Sequence, residues 1–203
     1  MRNLDKDFEK NGYVIVPGKK ILLEKLRKII LSSIIYNKKI QIKNYDEKNI
    51  SKILNNFHKI VKFKDLNNLR FNIYNKINSD KQCSTYLYEI AKDYLDKLVG
   101  NELSIQKKVN LSIQMPNDKD SLLDLHSDIY AGESPFQVVV WIPLVDAYDT
   151  KSMFFTKPKY NKKMNDQLLN SDKLTTKEMY NKNKKYFKFL KIKFGDVLIF
   201  SPL

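Results

Sequence analysis

The chain has 203 residues, a hydrophobic fraction of 42%, 12% aromatic residues and a formal net charge of +14. That length is most economical as one domain with a sizeable core, and the apolar content excludes a disordered chain. A single cysteine, Cys83, excludes an intrachain disulfide and fits a reducing cytoplasm, no apolar run approaches a membrane span, and the charged start (Arg2, Asp5, Lys6, Asp7) is unlike a signal peptide.

The elements follow in chain order. Residues 1–18 read as an entry segment with a strand at Tyr13 to Val16, closed by Pro17-Gly18. Ile21, Leu22, Leu26, Ile29, Ile30 and Ile34 recur at helical spacing and predict a core-packing helix. Lys38 to Tyr45 is a polar connection. Ile50, Ile53, Leu54, Phe57, Ile60 and Val61 predict a second amphipathic helix, with His58 off its apolar stripe as a structural histidine. Leu66, Leu69, Ile73 and Ile77 predict a third helix. Ser79 to Ser84 reads as a loop around an inert Cys83 thiol. Leu87, Ile90, Ala91, Tyr94, Leu95 and Leu98 predict a fourth helix, ended by Gly100 as a left-handed cap.

From Leu103 the apolar period changes from 3.6 to 2. Val109, Leu111, Ile113 and Met115 alternate with Asn110, Ser112 and Gln114, which predicts a strand ended by Pro116-Asn117-Asp118. Gly132-Glu133-Ser134-Pro135 is a turn. Phe136 to Leu144 is apolar at nearly every position, as in a strand covered on both faces. Within it Trp141 is expected in the core, opposite in parity to Val140. Ser152 to Thr156 is another short strand. Lys157 to Tyr186, anchored by Met164, Leu168 and Leu169, reads as an irregular or partly helical insertion, a lid or a surface excursion. Phe187 to Ile192 is extended, and Gly195-Asp196 turns into a strand at Val197 to Phe200. Helices followed by strands is the order of an α+β chain, with residues 1–100 mainly helical and 101–203 β-rich.

The positive charge is almost all lysine, since arginine occurs only at Arg2, Arg27 and Arg70. Arginine is favoured for bidentate recognition of phosphates and bases. The lysines therefore read mainly as a solvated surface, which can also recruit an anionic substrate. A basic nucleic-acid-binding protein stays open as an alternative.

The chemistry-bearing stretch is Leu125-His126-Ser127-Asp128. In extended backbone, side chains at i and i+2 share a side. An imidazole and a carboxylate on one side make two thirds of the 2-His-1-carboxylate face that holds non-haem Fe(II). The chain's other histidine, His58, lies far upstream on a helix. Asp124 shares parity with His126 and reads either as a support for it or as a plain loop carboxylate.

Asn110-Leu-Ser-Ile-Gln-Met-Pro116, Ser121-Leu-Leu-x-x-His126-Ser-Asp128, Ser134-Pro-Phe-Gln-Val-Val-Val-Trp-Ile-Pro-Leu-Val-Asp146 and Thr150-Lys-Ser-Met153 together resemble the Fe(II)/2-oxoglutarate-dependent oxygenases. The nearest branch is the phytanoyl-CoA-dioxygenase-like group of sporadic carbohydrate-biosynthesis clusters. Phe8 to Val16 is similar to the opening of such proteins. Gly195 to Phe200 is similar to the strand leading to their second iron-binding histidine. The resemblance covers about half the chain.

It implies a double-stranded β-helix (jelly-roll, cupin-like) core under an N-terminal helical layer. It implies Fe(II) held by His126 and Asp128, with 2-oxoglutarate as cosubstrate. It also implies hydroxylation of a small molecule, such as a sugar derivative in polysaccharide synthesis, coupled to decarboxylation of 2-oxoglutarate. Asn110, Ser112 and Gln114 would then look into the barrel at cosubstrate or substrate; before the resemblance, a solvated outer face is equally open. Lys151 would pair with the distal carboxylate of 2-oxoglutarate. The family's distal histidine and last strands follow the segment that here ends at Leu203. The expectation is therefore a truncated copy, a fragment or a degenerate relative. A catalytically inactive jelly-roll scaffold stays open as a second alternative.

Overall fold

The computed structural model describes residues 3–38, 46–118, 123–169 and 174–203, apart from the side chains of 37, 38, 168 and 169. The polar connection at 39–45, Ser121 and Leu122 of the oxygenase-like motif, residues 170–173 of the insertion, and the Leu168 and Leu169 anchors therefore lie outside the described residues. The chain divides into two compact units, Gly18–Ser121 and Met1–Pro17 with Leu122–Leu203. The described residues form eight α-helices and two small antiparallel sheets, an α+β arrangement.

The first unit is helical: α2 (Lys20–Lys38), α3 (Glu47–Asn55), α4 (Phe57–Ile60), α5 (Leu66–Ser79) and α6 (Lys81–Val99). α2 packs against α3, α5 and α6. The core is the set that the 3.6 period picks out, including Leu26, Ile30, Ile34, Leu69, Ile73, Ile90 and Leu95. The second expected helix breaks at Asn56, whose backbone leaves the helical region (φ −107°, ψ 23°), so Phe57 starts a new short helix. The expected loop at 79–84 is instead the start of α6. The Asp80 side chain accepts from the Gln82 N–H at 2.9 Å and caps it, and Cys83 is buried one turn in. Gly100 does end α6 with positive φ (82°), but its ψ of −178° is extended rather than left-handed helical.

Residues 101–118 do not form the expected strand. Their alternation survives in exposure, with Leu111, Ile113 and Met115 half-buried and Asn110, Ser112 and Gln114 exposed. What replaces a neighbouring strand is the side chains of α5. Asn78 Oδ1 accepts from the Val109 N–H at 2.6 Å while its Nδ2 donates to the Val109 carbonyl at 3.1 Å. Arg70 donates to the Ile113 carbonyl and to the buried Asp118 carboxylate at 3.3 Å. One side-chain amide and a guanidinium thus satisfy backbone groups that a ladder would otherwise take.

The second unit holds α1 (Leu4–Asn11), β1 (Tyr13–Pro17), β2 (Val139–Trp141), β3 (Phe154–Phe155), α7 (Pro158–Leu169), α8 (Thr176–Asn183), β4 (Lys188–Phe189) and β5 (Asp196–Phe200). β5 is the middle strand of an antiparallel sheet ordered β1-β5-β2, with Ile199 opposite both Val14 and Val140. Val197, Leu198 and Ile199 are fully buried, as a central strand requires. Leu190, Ile192 and Leu198 form its core, with Tyr13, Trp141, Met153 and Phe155 among the rings and chains packed on them. β3 and β4 pair separately, Phe154 opposite Phe189.

The strands at 136–144 and 152–156 are shorter than expected: Phe136 is 93% exposed, and only Val139–Trp141 joins the sheet. Strands of two to five residues in separate two- and three-stranded sheets do not close on themselves. Among the described residues no barrel is closed. The insertion after Lys157 is more regular than its composition suggests, forming α7 and α8. No helix of the described residues is long and apolar enough to cross a membrane.

Candidate functional site

The loop carrying His126 and Asp128 is built on local backbone chemistry. Ser127 is extended (φ −126°, ψ 134°), which turns the side chains on either side of it the same way. Asp128 then opens a single 3-10 turn, Asp128–Ala131. Gly132 ends the turn with φ 95°, a conformation that disfavours a side chain. Three ties fix this loop within its unit. Ser127 Oγ donates to the Pro202 carbonyl at 2.7 Å, just beyond β5. The Tyr130 hydroxyl donates to Asn165 Oδ1 of α7 at 2.6 Å. Thr176 Oγ1 of α8 donates to Asp124 Oδ2 at 3.1 Å.

His126 Nε2 lies 3.4 Å from Asp128 Oδ1. Its other ring nitrogen, Nδ1, is 2.6 Å from the Asp124 carbonyl oxygen. A carbonyl only accepts, so Nδ1 carries the proton and, in the neutral ring, Nε2 keeps its lone pair toward Asp128. Backbone support of one nitrogen is the usual way a metal-binding imidazole is oriented. Adjacent ligands of a facial set stand at about 90°, so two atoms each about 2.0–2.2 Å from one ion are about 2.8–3.1 Å apart. The 3.4 Å separation is a few tenths of an ångström wider than that, so a small closure would bring the pair to ligand spacing. In donor type the pair matches two sites of a facial 2-His-1-carboxylate set.

The site departs from the expected barrel mouth in exposure. The His126 side chain is 52% exposed and that of Asp128 31%. A cleft in this unit opens between α7 and α8, and neither His126 nor Asp128 lines it. Among the described residues, no group of three or more His, Cys, Asp or Glu is gathered as a metal cage. His58 is an exposed residue of α4 in the helical unit.

No family model, curated protein or solved structure matches the chain.

The other candidate residues are placed as follows. Lys151 ends a short turn at Asp149–Lys151, its ammonium 4.5 Å from the Tyr148 ring centre and 3.4 Å from that residue's hydroxyl. Asn110, Ser112 and Gln114 belong to the extended segment of the helical unit and face solvent. Asp124 does support His126, but through its backbone carbonyl, while its carboxylate takes the Thr176 hydrogen bond. Asn165 and Thr176 escape a reading of motifs, because their partners lie 35 and 52 positions away. One local signal was available: Thr175-x-x-Glu178 has the spacing of a capping box, and the structure forms it.

Proposed function

We propose that this chain is a non-haem Fe(II)- and 2-oxoglutarate-dependent oxygenase that hydroxylates a small molecule, with His126 and Asp128 as two of the protein's iron ligands. The observation that carries this reading is the 3.4 Å approach of His126 Nε2 to Asp128 Oδ1, with Nδ1 already engaged by the Asp124 carbonyl. The resemblance of residues 110–116, 121–128, 134–146 and 150–153 to that oxygenase class supports it. The same resemblance suggests a sugar derivative as substrate.

Bound iron with its cosubstrate would supply the oxidising power for attack on a C–H bond. The chain's own contributions are simpler. Asp124 fixes the imidazole tautomer, Asp128 offers an anionic oxygen beside it, and Ser127, Tyr130 and Thr176 hold the loop. Lys151 is the proposed partner of the distal 2-oxoglutarate carboxylate.

A second reading rests on the same distance. At 3.4 Å the pair is also satisfied as an imidazolium–carboxylate ion pair, which suits a binding scaffold without redox chemistry. Turnover separates the two. Under air, with Fe(II) and ascorbate, the oxygenase reading expects succinate from 2-oxoglutarate, absent in His126→Ala. No succinate above the His126→Ala level leaves the scaffold.

A further inference from the structure

We propose that the cleft between α7 and α8 binds a phosphate-bearing small molecule through the ammonium groups of Lys159, Lys162, Lys163 and Lys182. This inference does not rest on the iron reading, because neither His126 nor Asp128 lines the cleft.

Charge is concentrated in this part of the chain. Residues 157–193 contain twelve lysines against three acids, within a protein of net charge +14. On α7 the lysines fall at 159, 162 and 163, which is i, i+3 and i+4, so they share one face. Lys182 of α8 faces the same opening, and Gln167, Leu174 and one acid, Asp166, complete the wall among the described residues. Like charges on one helical face repel and weaken the helix. A bound anion removes that repulsion, and a cleft whose charge is mainly positive concentrates anions.

A buried side chain ties α8 to α7 beside the cleft. Asn183 of α8 is 1% exposed, and its Nδ2 donates to Gln167 Oε1 at 2.8 Å and to the Met179 carbonyl at 3.0 Å. With its oxygen turned to Asn183, the Gln167 amide has both N–H donors available for a ligand. Next to the lysines, the Tyr160 and Tyr186 rings lie tilted by 31° with centres 4.3 Å apart. Lys159, Lys163 and Lys185 hold their ammoniums 4.9, 5.4 and 5.1 Å from those rings. Burial raises the Tyr186 phenol, yet Lys163 and Lys185 outweigh it and leave the group below its ordinary value, a mark of the local positive potential.

Size and chemistry select the ligand class. The cleft is a shallow depression open to solvent, with about 720 Å³ of space, enough for a small molecule. Its cations are all lysine, which binds phosphate as a point charge; the forked arginine favoured for reading nucleic-acid bases is missing from this lining.

The test is calorimetric titration of the full chain, without added metal, using inorganic pyrophosphate and ADP as separate probes. Expected is saturable one-to-one binding, weakened about tenfold or more by Lys159→Gln/Lys162→Gln/Lys182→Gln and under about twofold by Lys48→Gln/Lys52→Gln/Lys59→Gln in the helical unit. Similar affinities for the two probes assign recognition to phosphate alone; tighter ADP assigns a share to the organic part. Acetylation mapping of the wild-type protein needs no variant: pyrophosphate is expected to shield Lys159, Lys162, Lys163 and Lys182 but not Lys48, Lys52 or Lys59. Unsaturable binding, equal loss in both triple variants or uniform shielding overturns the proposal. So does a single-stranded RNA that binds more tightly than ADP and loses affinity equally in both triple variants.

Discussion

Thr176 Oγ1, in the first turn of α8, donates to Asp124 Oδ2 at 3.1 Å across 52 positions of sequence. Asp124 in turn holds His126 through its carbonyl oxygen. One residue therefore passes the position of a helix on to the imidazole that the proposed chemistry needs. Thr176→Val removes only an exposed hydrogen bond and is expected to cost about 1 kcal/mol or less in urea unfolding. Its effect on Fe(II) affinity is expected to be larger, up to about tenfold weaker, because the imidazole loses part of its support. Unchanged Fe(II) affinity would remove Thr176 from this role.

The start of α8 offers a pH-dependent test. Thr175 and Glu178 form a reciprocal box: the Thr175 N–H and hydroxyl both donate to Glu178 Oε2 at 2.9 Å, and the Glu178 N–H donates to Thr175 Oγ1 at 3.2 Å. The backbone N–H and then the hydroxyl of Thr175 hold the Glu178 carboxyl below its ordinary value of 4.5. A lowered acid stabilises the fold above its unfolded value, and that contribution disappears as pH falls through the folded one. Thr175→Ala is expected to cost about 1 kcal/mol at pH 7. The gap between variant and parent should narrow below pH 4.5, read by denaturant titration at each pH.

Cys83 should be inert. It is fully buried in α6, and burial, with help from Asp80, pushes its thiol up to about 11 against the opposing effect of Lys76. At pH 8 the thiolate fraction is then about one in a thousand. An aromatic disulfide reagent is expected to leave the native thiol unmodified and to titrate one thiol per chain in denaturant.

Leu198 is fully buried on the middle strand, against Leu190 and Ile192. Leu198→Ala is expected to destabilise the protein by about 2–5 kcal/mol in urea unfolding. A cost below about 1 kcal/mol would mean that β5 is not the centre of this core.

The helical unit was largely legible because its core comes from one period repeated over long segments. Leu26, Ile30 and Ile34 mark the buried face of α2 by their spacing alone. Residues 79–84 read as a loop rather than the start of α6 because Asp80 is both a turn residue and an N-cap, and only the helix that follows decides between them. Residues 110–115 carried a true alternation, but alternation reports which side is wet, not whether a strand lies alongside. Here Asn78 and Arg70 supply the partners. At the candidate site, the His126–Asp128 pairing was readable from an i, i+2 spacing. The ties to Pro202, Asn165 and Thr176 were not, since they depend on how distant segments meet.

The central claim is that His126 and Asp128 jointly hold ferrous iron. Its most direct test is anaerobic Fe(II) titration in the presence of 2-oxoglutarate, followed by the visible charge-transfer absorption of the chelated complex, on the parent chain and on folded His126→Ala and Asp128→Ala. The account expects a band that saturates at one iron per chain and is lost in both variants. A band unchanged in either variant, or none in the parent at saturating iron, would contradict it.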